Sequence, residues 1–238
     1  MQDPCSSVSD VRFSSLVPAT FVARPNRFLV LADLGRHRVT AASRDPGRLE
    51  GILVPGAPLL LAPASSPGRR TEYTLVLARQ RDAWVCLIPA LASQIVHFAA
   101  ARKGLIGLSG AKVVRREVPA GGSRLDFLLR YRGAPMLAEV KAAAHVEGRR
   151  ALFPDCPTAR GTRHVRALIA ARRRGHAAAL LFVVHREDAD RLAPWRSVDP
   201  DFADALADAR RSGVRVHAYT TRVRPDGMAL ARRIPVDA

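Results

Sequence analysis

Three polar residues at close spacing carry the sharpest chemistry in this chain: Asp126, Glu139 and Lys141. They lie in Arg124-Leu125-Asp126-Phe127 and Ala138-Glu139-Val140-Lys141. Side chains on a strand alternate faces, so Glu139 and Lys141 share one face while Ala138 and Val140 take the other. In the first segment Leu125, Phe127 and Leu129 share a face and Asp126 points the opposite way. A hairpin through Arg132-Gly133-Ala134-Pro135 lets the three polar groups converge on one surface. Asp126 and Glu139 would then suit Mg²⁺ or Mn²⁺, hard cations that take few carboxylates and keep waters. Lys141 would orient a water or offset negative charge on a phosphodiester under attack. The same pattern also describes polar positions on a solvated sheet face, with Glu139 and Lys141 as plain neighbours. Lys141 is one of only three lysines beside 35 arginines. A compact ammonium is not interchangeable with a guanidinium at a crowded site.

A second set is basic. Arg160, Arg163 and Arg166 recur at three-residue spacing and share a helix face, with His164 among them. Such a face tracks a phosphate backbone, and so would Arg124 beside the carboxylate site. It is equally an ordinary solvated face, and Arg172-Arg173-Arg174 suits the dipole of a helix C-terminus. The other histidines show no ligand spacing. Neither a G-x-S-x-G elbow nor a G-x-x-x-x-G-K-[ST] phosphate loop occurs.

The elements that must position these residues fall into two parts. Residues 11–88 read as β-rich, with short strands at 28–33, 38–43, 58–63, 72–79 and 83–89. Turns at Asp45-Pro46-Gly47, Pro55-Gly56 and Ser66-Pro67-Gly68 separate several of them. A small barrel or sandwich follows, the OB-fold being one option. Residues 1–10 are polar and read as a disordered tail. Residues 89–238 read as an α/β domain with a mixed sheet. It opens with a helix over 90–103, buried through Leu91, Ile95 and Phe98. Strands at 112–119, 124–132 and 136–143 follow, then a helix over 158–174 stopped by Gly175. Ala177 to Val184 is continuously apolar, as a buried parallel strand is. Asp199 caps a last helix that Gly213 ends, before a strand over 214–222.

Charge narrows the partner. The formal net charge is +17 over 238 residues. Residues 1–88 hold 11 basic and 7 acidic residues, a net of +4, and residues 89–238 hold 27 and 14, a net of +13. An excess of this size calls for a polyanion, and the second part should carry most of its site. Cys5, Cys86 and Cys156 have neither metal nor disulfide spacing, which fits a reducing cytoplasm. No segment reads as a signal peptide or a membrane span, and no protein partner can be inferred.

The chain resembles the sugar fermentation stimulation protein A family at three segments. These are Ser123-Arg124-Leu125-Asp126-Phe127-Leu128-Leu129, Glu139-Val140-Lys141, and the run from Phe153-Pro154-Asp155 through Thr158-Ala159-Arg160-Gly161 to His164. The last is the most specific. Weaker similarity includes Arg24-Pro25-Asn26-Arg27-Phe28-Leu29. The resemblance implies an N-terminal OB-like domain and a C-terminal domain of the PD-(D/E)XK nuclease type, with the restriction-endonuclease-like sheet. It implies DNA binding and a regulatory role in maltose metabolism. It places Asp126, Glu139 and Lys141 on the nuclease motif, Glu117 beside them, and Asp155, Thr158, Arg160, Gly161 and His164 on the family's own motif. The chain departs from the family after Lys141, where Ala142-Ala143-Ala144-His145 replaces a Ser-Val-Thr-Leu run. Three functions follow as expectations: a DNA-binding regulator, an Mg²⁺-dependent nuclease, and a binder of a small anion between the domains.

Overall fold

The computed structural model describes residues 11–64, 70–102 and 104–237. The tail over 1–10 and the turn at Ser66-Pro67-Gly68 lie outside them. The first part runs β1 (Val11–Arg12), β2 (Val17–Asn26), β3 (Leu29–Leu34), β4 (His37–Ala42), β5 (Pro58–Pro63), β6 (Tyr73–Gln80) and β7 (Ala83–Cys86). Strands β2 to β7 form one sheet in the order β4-β3-β2-β5-β6-β7, and a parallel pairing of β4 with β6 closes it into a barrel. Closure removes the open edges that a small sheet would otherwise expose. The barrel is filled by alternate residues such as Phe21, Val30, Val39, Leu59, Leu61 and Leu75.

The second part runs α1 (Leu91–Ala101), β8 (Lys112–Ala120), β9 (Ser123–Tyr131), β10 (Ala134–Ala143), β11 (Val146–Glu147), β12 (Arg150–Phe153), α2 (Ala159–Arg173), β13 (Ala177–Val184), β14 (Arg191–Pro194), α3 (Pro200–Arg211), β15 (Arg215–Arg224) and β16 (Gly227–Ile234). Its seven-stranded sheet has the order β1-β16-β15-β13-β10-β9-β8. The central β10, β13 and β15 are parallel, and the outer pairs are antiparallel. The apolar run of β13 therefore sits between two parallel neighbours, buried on both faces. Helix α1 packs on one face, through Ala92, Val96 and Ala99 over Phe127, Leu129 and Ala138. Helices α2 and α3 cover the other, through Val165, Leu168, Phe202 and Leu206.

Several expectations are corrected. Val11 and Arg12 belong to the second sheet, against Gly227 and Met228 of β16, and not to the barrel. Strand β2, the longest of the barrel, was not expected, because Pro18 and Pro25 lie within it. Helix α1 buries Ala92, Ile95, Val96, Ala99 and Ala100, while Phe98 is 40% exposed. Small residues on the buried face let the helix lie close to the sheet, and they leave little signal in large apolar residues.

The two parts share a core. Leu60, Val76, Leu77 and Cys86 of the barrel pack with Ile95, Val223 and Met228. His185, just past β13, accepts from the Cys86 amide at 3.0 Å and donates its own amide to Ala143 at 2.8 Å. The buried Arg186 guanidinium pairs with Asp188 at 2.6 Å and 2.7 Å and donates to Gln80 on β6. This seam sets the barrel beside the end of β10 that carries the candidate site.

Candidate active site

Strands β9 and β10 meet at a tight turn, with Arg132 and Gly133 both at positive φ and Ala134 already paired with Tyr131. The ladder runs from that pair to Ala138–Phe127 and stops there. Beyond it the strands part, and side chains take over the backbone groups that the ladder leaves. Asp126 Oδ2 accepts from the Val140 amide at 2.7 Å, and Glu139 Oε2 accepts from the Asp126 amide at 3.3 Å. The two carboxylates are thus fixed by each other's strand.

Glu139 is only 3% exposed. A buried carboxylate needs partners, and besides the Asp126 amide it has two. Lys141 Nζ donates to Oε1 at 2.6 Å. His164 Nδ1 lies 2.5 Å from the same oxygen. Asp126 is held by Ser93, on the first turn of α1, whose hydroxyl donates to Oδ1 at 3.3 Å. Burial pushes the Asp126 carboxyl up to about 6, the Glu139 charge adds to the rise, and the Val140 amide and Lys141 oppose it.

A cleft of about 510 Å³ opens over these groups. Ser93, Val140 and Lys141 line its floor, and each bonds one of the carboxylates beneath. The barrel supplies one wall through Asp45, Pro46 and Gly47, and the run from Phe153 to Arg160 supplies another. The wall contact is close: a Cβ at position 47 would strike the Asp155 carboxylate, which would have to move aside. Asp155 also accepts from the Leu49 amide at 3.4 Å. Asp45 is half-buried and its carboxyl is pushed up to about 6, by desolvation first and then by the nearby Asp155 charge, against the Gly47 amide that bonds it. Thr158 caps α2 by accepting from the Gly161 amide at 3.1 Å, and its own amide donates to Asp199 at 2.7 Å.

The structure brings together Asp126, Glu139, Lys141 and His164, with Asp155, Thr158 and Arg160 on the cleft wall. Arg163 and Arg166 are exposed on α2, as their spacing with Arg160 requires. His164 does not share that surface; it falls one place off the stripe and turns inward to Glu139. Arg124 is exposed on β9, opposite Pro119. Glu117 is exposed at positive φ, between Arg116 and Val118, whose partners Phe127 and Leu125 flank Asp126. Two cleft residues, Ser93 and Asp45, were not foreseen, nor was Arg24 behind the barrel wall. The Arg24 guanidinium donates to the carbonyls of Arg27, Asp45, Gly47 and Arg48, at 2.6 to 2.9 Å, and stitches the barrel wall together. Its only signal in the sequence is its place at the head of Arg24-Pro25-Asn26-Arg27-Phe28.

Among the described residues, no group of three or more His, Cys, Asp or Glu side chains is arranged to hold a metal ion. Asp126 and Glu139 alone suit a hard cation that keeps most of its waters, and not the closed four-ligand shell of a structural zinc. Among the described residues, no helix is long and apolar enough to cross a membrane.

A closed barrel joined to a mixed sheet that bears two carboxylates and a lysine at its splayed strands defines a two-domain α/β protein, with its cleft between the domains. Residues 22–87 match the family described as the SfsA N-terminal OB domain, and residues 90–227 match the sugar fermentation stimulation protein RE domain. The chain belongs to the sugar fermentation stimulation protein family. It is 42% identical over 225 residues to a sugar fermentation stimulation protein homolog of Moorella thermoacetica, covering 94% of this chain and 97% of that one. A homolog from Chloroflexus aurantiacus is 40% identical, with 94% and 86% covered. Pyrococcus furiosus SfsA, solved in complex with Ca²⁺, superposes with a TM-score of 0.88 at 27% identity, covering 98% of this chain and all of that one.

Proposed function

We propose that this protein binds DNA in the inter-domain cleft and hydrolyses phosphodiesters there with a divalent cation. The observation that carries the reading is the splay of β9 from β10, where Asp126 and Glu139 each bond the other's strand beneath the cleft floor that Ser93, Val140 and Lys141 form. Asp126 and Glu139 would hold Mg²⁺ or Mn²⁺. That ion, when bound, supplies an acidified water and offsets charge on the phosphate. The Ca²⁺ in the related Pyrococcus furiosus structure supports a hard-cation site. Lys141 donates to a phosphate oxygen as negative charge grows on it. His164 and Ser93 are positioning residues: each holds one carboxylate, His164 from the buried side and Ser93 from the cleft floor. Arg160 on the wall, with Arg163 and Arg166 beyond it on α2, grips the backbone of the bound strand.

The test is incubation of plasmid and single-stranded DNA with Mg²⁺ or Mn²⁺. Asp126→Ala and Glu139→Ala should each lower cleavage at least a hundredfold while a salt-sensitive mobility shift persists. Cleavage unchanged in both variants would remove the mechanism. Regulation by occupancy, which the family's link to sugar fermentation suggests, needs DNA bound in the cleft and no hydrolysis. A shift without cleavage in the unaltered protein would favour that second reading.

A further inference from the structure

Hairpin tips are ordinarily polar, yet the two-residue turn between β2 and β3 is Arg27-Phe28. Phe28 is 63% exposed, the most exposed large apolar side chain among the described residues. Its backbone is fixed on both sides. The Phe28 amide donates to Asn26 Oδ1 at 2.9 Å, and its carbonyl accepts from the Ser43 amide at 2.9 Å. The Arg27 carbonyl is held in turn by Arg24. An aromatic ring on so rigid a pedestal is presented to solvent, with the Arg27 guanidinium 5.7 Å from its centroid.

Beside this tip lies a second pocket of about 630 Å³, lined by Arg24, Arg27, Arg48 and Glu50. Pro46, Gly47 and Cys156 border both this pocket and the cleft over Lys141, so the two lie side by side. Arg27 and Arg48 line the outer pocket, Cys156 lines both, and Arg160 and Lys141 line the cleft, while Phe28 stands beside Arg27 at the outer end. Glu50 is the single acid on the outer pocket's lining, so the lining is net positive.

We infer that the two adjacent pockets together form a track for single-stranded DNA, with Phe28 as a stacking platform at its outer end. The inference rests on the DNA reading above and names the strand state of its substrate. An exposed ring with cations beside it fits a base whose face is free, which a paired and stacked base does not offer. Arg27 and Arg48 neutralise the phosphates that follow, and the strand continues toward the carboxylate site. Phe28 takes no part in hydrolysis.

The experiment uses the full chain in EDTA, where no cleavage occurs, with a labelled single-stranded oligonucleotide and the blunt duplex of the same sequence. Fluorescence anisotropy reads affinity against salt. Phe28→Ala should lower the ratio of single-strand to duplex affinity about tenfold, and Phe28→Trp should restore it. Arg48→Ala should lessen the slope of log affinity against log salt by about 0.7 on the single strand. An unchanged ratio in Phe28→Ala, with the unaltered protein binding both DNAs, would overturn the platform and leave the DNA reading standing. No binding of either DNA by the unaltered protein would overturn both. The melting temperature of each variant should match the parent, since Phe28 packs in no core cluster.

Discussion

Asp126 shows how a single side chain couples position to charge. Its carboxyl is driven up to about 6 by burial and by the Glu139 charge. Below that value the native site holds a proton, which a cation must displace; above it the site is ionised and free to bind. Calcium affinity measured by calorimetry should therefore fall about tenfold for each pH unit below 6 and level off above it. Affinity that stays flat from pH 5 to pH 8 would contradict the role of Asp126 as a ligand. Asp126, Glu139 and Lys141 were legible in the sequence because strand alternation alone puts them on one surface. The partners that hold them were not. His164 is 25 residues away from Glu139, and Ser93 is 33 from Asp126. Only the packing of α1 and α2 on opposite faces of the sheet brings them in.

At the scale of elements, Asp199 matters more than its cap position suggests. One carboxylate oxygen accepts from the Phe202 amide at 2.9 Å and starts α3, while the other accepts from the Thr158 amide at 2.7 Å beside the start of α2. Asp199→Ala removes both bonds and leaves buried amides without partners. Chemical denaturation should show a loss of about 2–4 kcal/mol. A loss below about 0.5 kcal/mol would show that the helix starts do not depend on it. Helices α2 and α3 and strand β13 were legible from caps, glycine stops and an unbroken apolar run. Strands β2 and β16 were not. Prolines interrupt the first, and adjacent Arg232 and Arg233 break the alternation of the second. Both are sustained by neighbouring strands, not by their own pattern.

At the scale of the whole molecule, the seam between barrel and sheet carries a pH dependence. His185 is fully buried there, with Nδ1 3.1 Å from the Cys86 carbonyl, and burial pushes its imidazole down to about 4. The unfolded chain takes up a proton near the ordinary value of 6.5, whereas the folded chain resists until about 4. The neutral ring's contribution is thus fully present above pH 6.5 and is lost as the pH falls toward 4, by up to about 3 kcal/mol. Asp45 and Asp126, both raised to about 6, act in the opposite sense over much of that window. His217, also lowered to about 4 by burial, acts with His185. His185→Asn isolates its share: between pH 7 and pH 4.5 the variant should lose less stability than the parent. Equal losses would show that the seam does not sense protons through His185. The seam matters because it holds both walls of the cleft, which neither domain forms alone.

The central claim is that a cleft shared by both domains hydrolyses DNA at the carboxylates beneath Lys141. Its most direct test is metal-dependent DNA cleavage by the full chain beside Lys141→Ala, with binding followed in the same samples. The account predicts cleavage with Mg²⁺ or Mn²⁺ that Lys141→Ala reduces by a factor of at least a hundred, while the DNA shift persists. Cleavage that survives the substitution, or an unaltered protein that binds DNA and never cleaves it, would contradict the account.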